Sequence, residues 1–190
     1  MAMDFATVEP VFQQLRAFVI TDLRQIAAQE TGGNYAATAL VGCACDALGR
    51  LTYGADNSGA RFFSEYVLPD AWKEVGGSVY GALRNGLVHL YDAKTIRVGK
   101  RTFEIGVSKR DKPHLTFSDD GTYLFVNVQD LTTALDAAFD RIHERLVRDA
   151  DFCDCFYMKA KEGLVIEPPK RELEGWRRLL ATLPTSPAPS

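Results

Sequence analysis

The sequence predicts a mainly α fold of the α+β kind, a helical bundle interrupted by one inserted antiparallel β-meander. Three observations predict it. Apolar residues recur at spacings of three and four through residues 9 to 91 and again through 127 to 149. Between Lys94 and Val126 the period falls to two, in short runs rich in Thr, Val, Ile and Phe that are bounded by turn or charged residues. The 190 residues, 46% of them apolar, suffice for one sizeable core. The expected organisation is therefore a single domain over residues 1 to 182, with the β insertion at about 94 to 126 and a disordered Pro/Ser tail at 183 to 190.

The elements follow in order. Val11, Phe12, Leu15, Phe18, Val19, Leu23 and Ile26 form one stripe and predict a long helix over 9 to 30, ended by Thr31-Gly32-Gly33. Asn34 is read as the cap of a second helix, whose stripe of Ala39, Leu40, Cys43, Ala47, Leu48 and Leu51 runs to about Tyr53. After a polar loop at Gly54 to Gly59, Phe62, Phe63, Tyr66 and Val67 predict a short aromatic helix that stops at Pro69. A fourth helix is expected from about Asp70 to Tyr91. Gly76, Gly77 and Gly81 each lower its propensity by roughly 1 kcal/mol, which permits a break near 76 or close packing.

Thr95 to Val98 and Thr102 to Val107 then read as strands. His114 to Phe117 and Thr122 to Val126 read as two more, joined by the turn Ser118-Asp119-Asp120-Gly121. Asn127 caps a helix to about Asp149 with the stripe Val128, Leu131, Leu135, Ala138, Phe139, Ile142 and Leu146. Shorter helices are expected at 151 to 162 and 171 to 182, separated by Glu167-Pro168-Pro169.

Composition narrows the function classes. No apolar run approaches the ~20 residues of a membrane span, and the first ten residues carry Asp4 and Glu9 with no basic segment ahead of an apolar one. A cytoplasmic protein is expected. The four cysteines form two Cys-x-Cys pairs, Cys43/Cys45 and Cys153/Cys155. Two residues apart on a helix is about 200° around the axis, so a four-thiolate metal site is not expected and the thiols read as reduced.

The net charge of −3 is unevenly distributed. Residues 94 to 112 hold seven basic and two acidic side chains, a local charge of +5, against −4 on either side. Lys94, Arg97, Lys100, Arg101, Lys109, Arg110 and Lys112 make up the block. Clustered Lys and Arg attract phosphate backbones, so these residues are candidates for RNA contact; the alternative is a solvated hairpin whose edges are protected by charge.

The stretch richest in chemistry is Arg84-Asn85-Gly86-Leu87-Val88-His89, inside an otherwise apolar helix. Cleavage of RNA by its own 2′-hydroxyl needs a base for that proton, an acid for the departing 5′-oxygen and positive charge for the phosphorane. Histidine suits the first two, because its unperturbed pKa of about 6.5 leaves both forms available near neutrality. Arginine suits the third through its permanent charge and bidentate fork. Asn85 could orient the phosphate or the histidine. Five positions on a helix are about 140° of rotation, so Arg84 and His89 of one chain do not share a face. Two copies of the helix meeting across a two-fold axis would assemble one cleft from both. His114 and His143 lack such neighbours and read as structural or solvated.

Arg84, Asn85 and His89 resemble the Arg-x4-6-His signature of the HEPN superfamily, whose ribonuclease members favour a polar residue directly after the arginine. The resemblance covers chiefly residues 9 to 91 and 127 to 149. It implies a HEPN-like helical bundle, a homodimer that juxtaposes the motifs, and metal-independent endoribonuclease activity leaving a cyclic phosphate. Toxin-antitoxin or defence settings are common in the superfamily, with an antitoxin or regulatory protein as partner. The segment at 94 to 126 departs from the simplest family pattern. No cofactor or metal is called for. Two classes of function follow: a homodimeric RNA-cleaving enzyme, or a non-catalytic nucleotide-binding or protein-interaction module that keeps the fold.

Overall fold

The computed structural model describes residues 5–54, 58–90, 95–109, 111–164 and 169–181. Helix α1 (Phe5–Ala28) begins a turn earlier than its stripe predicts, where the Phe5 ring meets His143 edge-on with centroids 5.3 Å apart. Helix α2 (Asn34–Tyr53) lies between Gly33 and Gly54, both in the left-handed region. Asn34 does not cap it as expected. Gly33 occupies the cap position without a side-chain bond, and Asn34 Nδ2 instead donates to the Val107 carbonyl, 3.2 Å away, tying α2 to the sheet.

Helix α3 (Ser58–Phe62) passes into one π-helical turn, Phe63–Val67. The single helix expected over 70 to 91 is two pieces, a 3-10 segment Asp70–Val75 and helix α4 (Gly76–Leu90). The break falls at Gly76, where a Cβ would lie 2.2 Å from Ser64 Oγ, so the glycine also admits the π-turn against α4.

The expected antiparallel meander is not what forms. Strands β1 (Ile96–Val98), β2 (Arg101–Ser108), β3 (Thr116–Phe117) and β4 (Tyr123–Asn127) stand in the order β1-β2-β4-β3. β2 and β4 run parallel, with Ile105 opposite Leu124 and Val107 opposite Val126. Hairpins do join β1 to β2 and β3 to β4, the second through the predicted turn, whose Gly121 has φ 69°. The sheet is nevertheless mixed, because the chain leaves β2 at Lys109 and returns along the far edge. Lys109 is buried, and its ammonium donates to the carbonyls of Ile26 and Gln29 at 2.9 Å each. That anchor ties the end of β2 to the end of α1, and β4 stands between β2 and β3. A parallel pair needs a crossover of about a dozen residues, which 109 to 122 supply.

Asn127 caps helix α5 (Val128–Arg148) as its sequence predicts, accepting from the amides of Gln129 and Asp130. Helices α6 (Ala150–Leu164) and α7 (Lys170–Ala181) follow. The core is centred on α5. Leu131, Leu135, Phe139 and Ile142 are fully enclosed, and α5 packs against α1, α2 and α6. Each such side chain contributes roughly 1.5–3 kcal/mol relative to exposure. Leu124 and Val126 extend the same core under the sheet. Arg16 and Arg24 both bind Asp136, fastening α1 to α5 along its rim.

The Cys-x-Cys pairs split as helix geometry requires: Cys45 and Cys153 are buried, Cys43 and Cys155 exposed, and all four are free thiols. Burial pushes the Cys45 thiol up, so it stays protonated. Among the described residues no group of three or more His, Cys, Asp and Glu side chains is placed to hold a metal ion. No helix is long and apolar enough to cross a membrane among those residues.

Candidate functional site

Helices α2 and α4 pack closely enough that a Cβ added to Gly42 would lie 3.1 Å from Arg84 Cγ. That approach brings Arg84 to Asp46, the one acidic residue of α2. Arg84 Nε donates to Asp46 Oδ2 at 2.9 Å, and Nη1 donates to Asn85 Oδ1 at 3.2 Å. The other carboxylate oxygen, Oδ1, takes the Tyr80 hydroxyl at 2.6 Å, and the Gly42 carbonyl lies 3.0 Å from the same hydroxyl. Tyr80 precedes Arg84 by four residues, so the two share a face of α4.

The result is a chain of contacts, Tyr80 to Asp46 to Arg84 to Asn85, with a buried end and an open one. Tyr80 is buried, Arg84 keeps 30% of its side chain exposed, and Asn85 is at the surface. The hydrogen bond to Asp46 raises the Arg84 pKa further, with burial opposing it. Burial, and after it the Asp46 carboxylate, push the Tyr80 phenol up, so it acts as a hydrogen-bond donor at neutral pH. An open cleft of about 340 Å³ lies over these residues, lined also by Ala60 of α3 and by Gly77 and Gly81 of α4.

Of the candidate residues, Arg84 and Asn85 therefore stand together at one cleft. His89 lies in the last turn of α4, and its side chain is outside the described residues. Lys94 and Arg110 are likewise outside them. Arg97, Lys100 and Arg101 are exposed on the β1–β2 hairpin, and Lys112 is exposed with its ammonium 5.3 Å over the Phe125 ring. Lys109 departs from the basic block: it serves the carboxyl end of α1, where its ammonium donates to the carbonyls of Ile26 and Gln29.

The remaining histidines have structural surroundings. His143 Nε2 is 3.5 Å from Glu9 Oε1, with the ring against Phe5 and Phe12. His114 Nδ1 accepts from the Asn127 amide at 3.1 Å, and burial lowers its pKa.

Asp46 and Tyr80 are absent from the sequence-derived candidates. Signals for both were there. Asp46 is the lone acid of α2, and Tyr80 stands at helical spacing from Arg84. Pairing them needs the α2–α4 crossing. Compared with known proteins, the chain matches no family model, no curated protein and no solved structure.

Proposed function

We propose that this chain is a metal-independent endoribonuclease acting as a homodimer, with Arg84, Asn85 and His89 from two copies forming one composite site. The observation that carries the reading is the interhelical brace. Asp46 grips the Nε edge of Arg84, itself held by Tyr80, and so sets the guanidinium at the rim of an open cleft. A guanidinium fixed in advance stabilises developing phosphorane charge without reorganising at the moment of reaction.

In the proposed step the 2′-oxygen attacks the adjacent phosphorus and the bond from phosphorus to the 5′-oxygen breaks. One His89 takes the 2′-hydroxyl proton, and the His89 of the second copy protonates the leaving 5′-oxygen. A 2′,3′-cyclic phosphate and a free 5′-hydroxyl result, so atoms and protons balance. Asn85 keeps Oδ1 towards Arg84 Nη1 and donates from Nδ2 to a phosphate oxygen. RNA and a second copy of this chain are the partners of this reading.

A second reading is a non-catalytic interaction module of the same fold. The Arg84–Asp46 ion pair favours it, since such a pair can also simply join two helices. Incubating purified protein with RNA in EDTA separates the two. The enzyme reading expects cleavage that His89→Ala and Arg84→Ala each abolish; equal cleavage by the variants, or none by the parent chain, removes it.

A further inference from the structure

A second, wider cavity lies away from Arg84. The 3-10 segment and the open end of the sheet enclose a groove of about 980 Å³. Its walls are aromatic: the Trp72 and Phe117 rings are 6.3 Å apart with planes inclined by 31°, and Phe103 meets Phe117 edge-on at 5.1 Å. Phe117 is 50% exposed and Val98 63% exposed, so contiguous apolar surface stands open to solvent.

A cation borders this floor. The antiparallel register sets Arg101 opposite Val98 and Phe103 opposite Ile96, so Arg101 rises from the same sheet face as the apolar residues, and it is exposed. Two acids also line the groove. Asp120 is committed to its own turn, bonded to Ser118 Oγ at 2.6 Å and Thr122 Oγ1 at 2.7 Å, while Asp119 is exposed. The groove therefore does not suit simple anions. It suits a ligand with a flat apolar body, a phosphate for the arginine and an amino edge for Asp119.

The placement along α4 supplies a second argument. Ser78 lines this groove and Asn85 lines the cleft at Arg84. Seven residues on a helix bring the azimuth back to within about 20° and advance about 10 Å. One strand lying along α4 can thus reach both places.

We propose that the groove is a nucleobase subsite for single-stranded RNA. A base stacks on the Trp72–Phe117 pair, and Arg101 takes the adjoining phosphate. The inference rests on RNA being the substrate of the site at Arg84, and it adds where the strand is held outside that site.

The test is binding, so that it does not depend on cleavage. Replacing Trp176 by Phe leaves Trp72 as the sole tryptophan. That chain is titrated with a short 2′-O-methyl oligoribonucleotide, which lacks the attacking hydroxyl, while emission and affinity are followed. Quenching of Trp72 is expected. Phe117→Ala should weaken binding roughly tenfold or more, as loss of one stacked base does, while Arg101→Gln should reduce the slope of log affinity against log salt by about 0.7. If Phe117→Ala fails to fold, the quench and the Arg101→Gln slope decide the matter in folded protein.

Unquenched Trp72, together with unchanged affinity in the variants, overturns the proposal. So does a Phe117→Ala variant that keeps its affinity and loses its dimer, which would give the groove to a second copy of the chain. Binding with these signatures but no cleavage of unmodified RNA retains the subsite and removes the enzyme reading. His89-dependent cleavage with groove variants of unchanged affinity does the reverse.

Discussion

Asp46 Oδ2 lies 2.9 Å from Arg84 Nε across the α2–α4 packing, and the same carboxylate is held from behind by the Tyr80 hydroxyl. The pair is only partly enclosed, with side-chain exposures of 30% and 39% for Arg84 and Asp46, so its contribution to stability is small, about 0.2–1 kcal/mol. Its value to the proposed site is positional. Asp46→Ala should therefore cost little stability but lower kcat for RNA cleavage roughly tenfold or more, with KM changed much less. Thermal melting beside steady-state kinetics checks this; equal, proportionate losses in both would make Asp46 merely structural.

If the site is composite, subunit mixing has a distinctive signature. Arg84→Ala and His89→Ala homodimers should each be inactive. Mixing the parent chain with His89→Ala after mild dissociation should lower its cleavage below simple dilution, because the proposed step uses the His89 of both copies and each heterodimer carries only one. Cleavage that stays proportional to the parent chain present, with heterodimers shown by native mass spectrometry, would place a complete site within one chain.

Lys109 separates structural from functional charge in the basic segment. Its ammonium is buried on the Ile26 and Gln29 carbonyls, so Lys109→Ala should cost about 1–3 kcal/mol through the loss of these two charge-assisted hydrogen bonds and leave the salt dependence of RNA binding unaltered. Charge reversal at exposed Lys100 and Arg101 should do the opposite, weakening RNA binding at low salt with little effect on the melting temperature.

His114 predicts a pH dependence of stability. Burial lowers its pKa in the fold, Asp130 opposing, while Nδ1 accepts from the Asn127 amide and so requires the neutral ring. The unfolded chain binds this proton more readily. The stability from neutral His114 is therefore fully present above the unfolded value of about 6.5 and declines as pH falls from there towards the lower folded value. Melting temperature should fall on acidification from pH 7 to pH 5. His114→Asn, which keeps an acceptor but cannot titrate, should flatten that slope; an unchanged slope would assign it to other groups.

Local chemistry made much of the fold legible. The α5 stripe, the Asn127 cap and the turn at Ser118 to Gly121 depend on residues within a few positions of one another, and each formed as its sequence predicts. Where expectation and structure part, a distant partner intervened. Asn34 is drawn from capping α2 to the Val107 carbonyl, and Gly76 divides the expected helix where Ser64 comes close. The β2–β4 pairing shows why a meander was the wrong inference. Alternation reveals that a segment is a strand but not which neighbour it will pair with or in which direction.

The candidate site divides in the same way. Arg84, Asn85 and the helix that carries them were determined by sequence alone, because residue type and helical period are local properties. So was the rotation of about 140° that five helical positions put between residues 84 and 89 of one chain. Tertiary structure alone decided that Arg84 meets Asp46, that Tyr80 lies behind that carboxylate, and that Lys109 is buried while Arg101 borders an aromatic groove. These pairings join residues 34 to 83 positions apart, and only the packing of α2, α4, α1 and the sheet around one core brings them within reach.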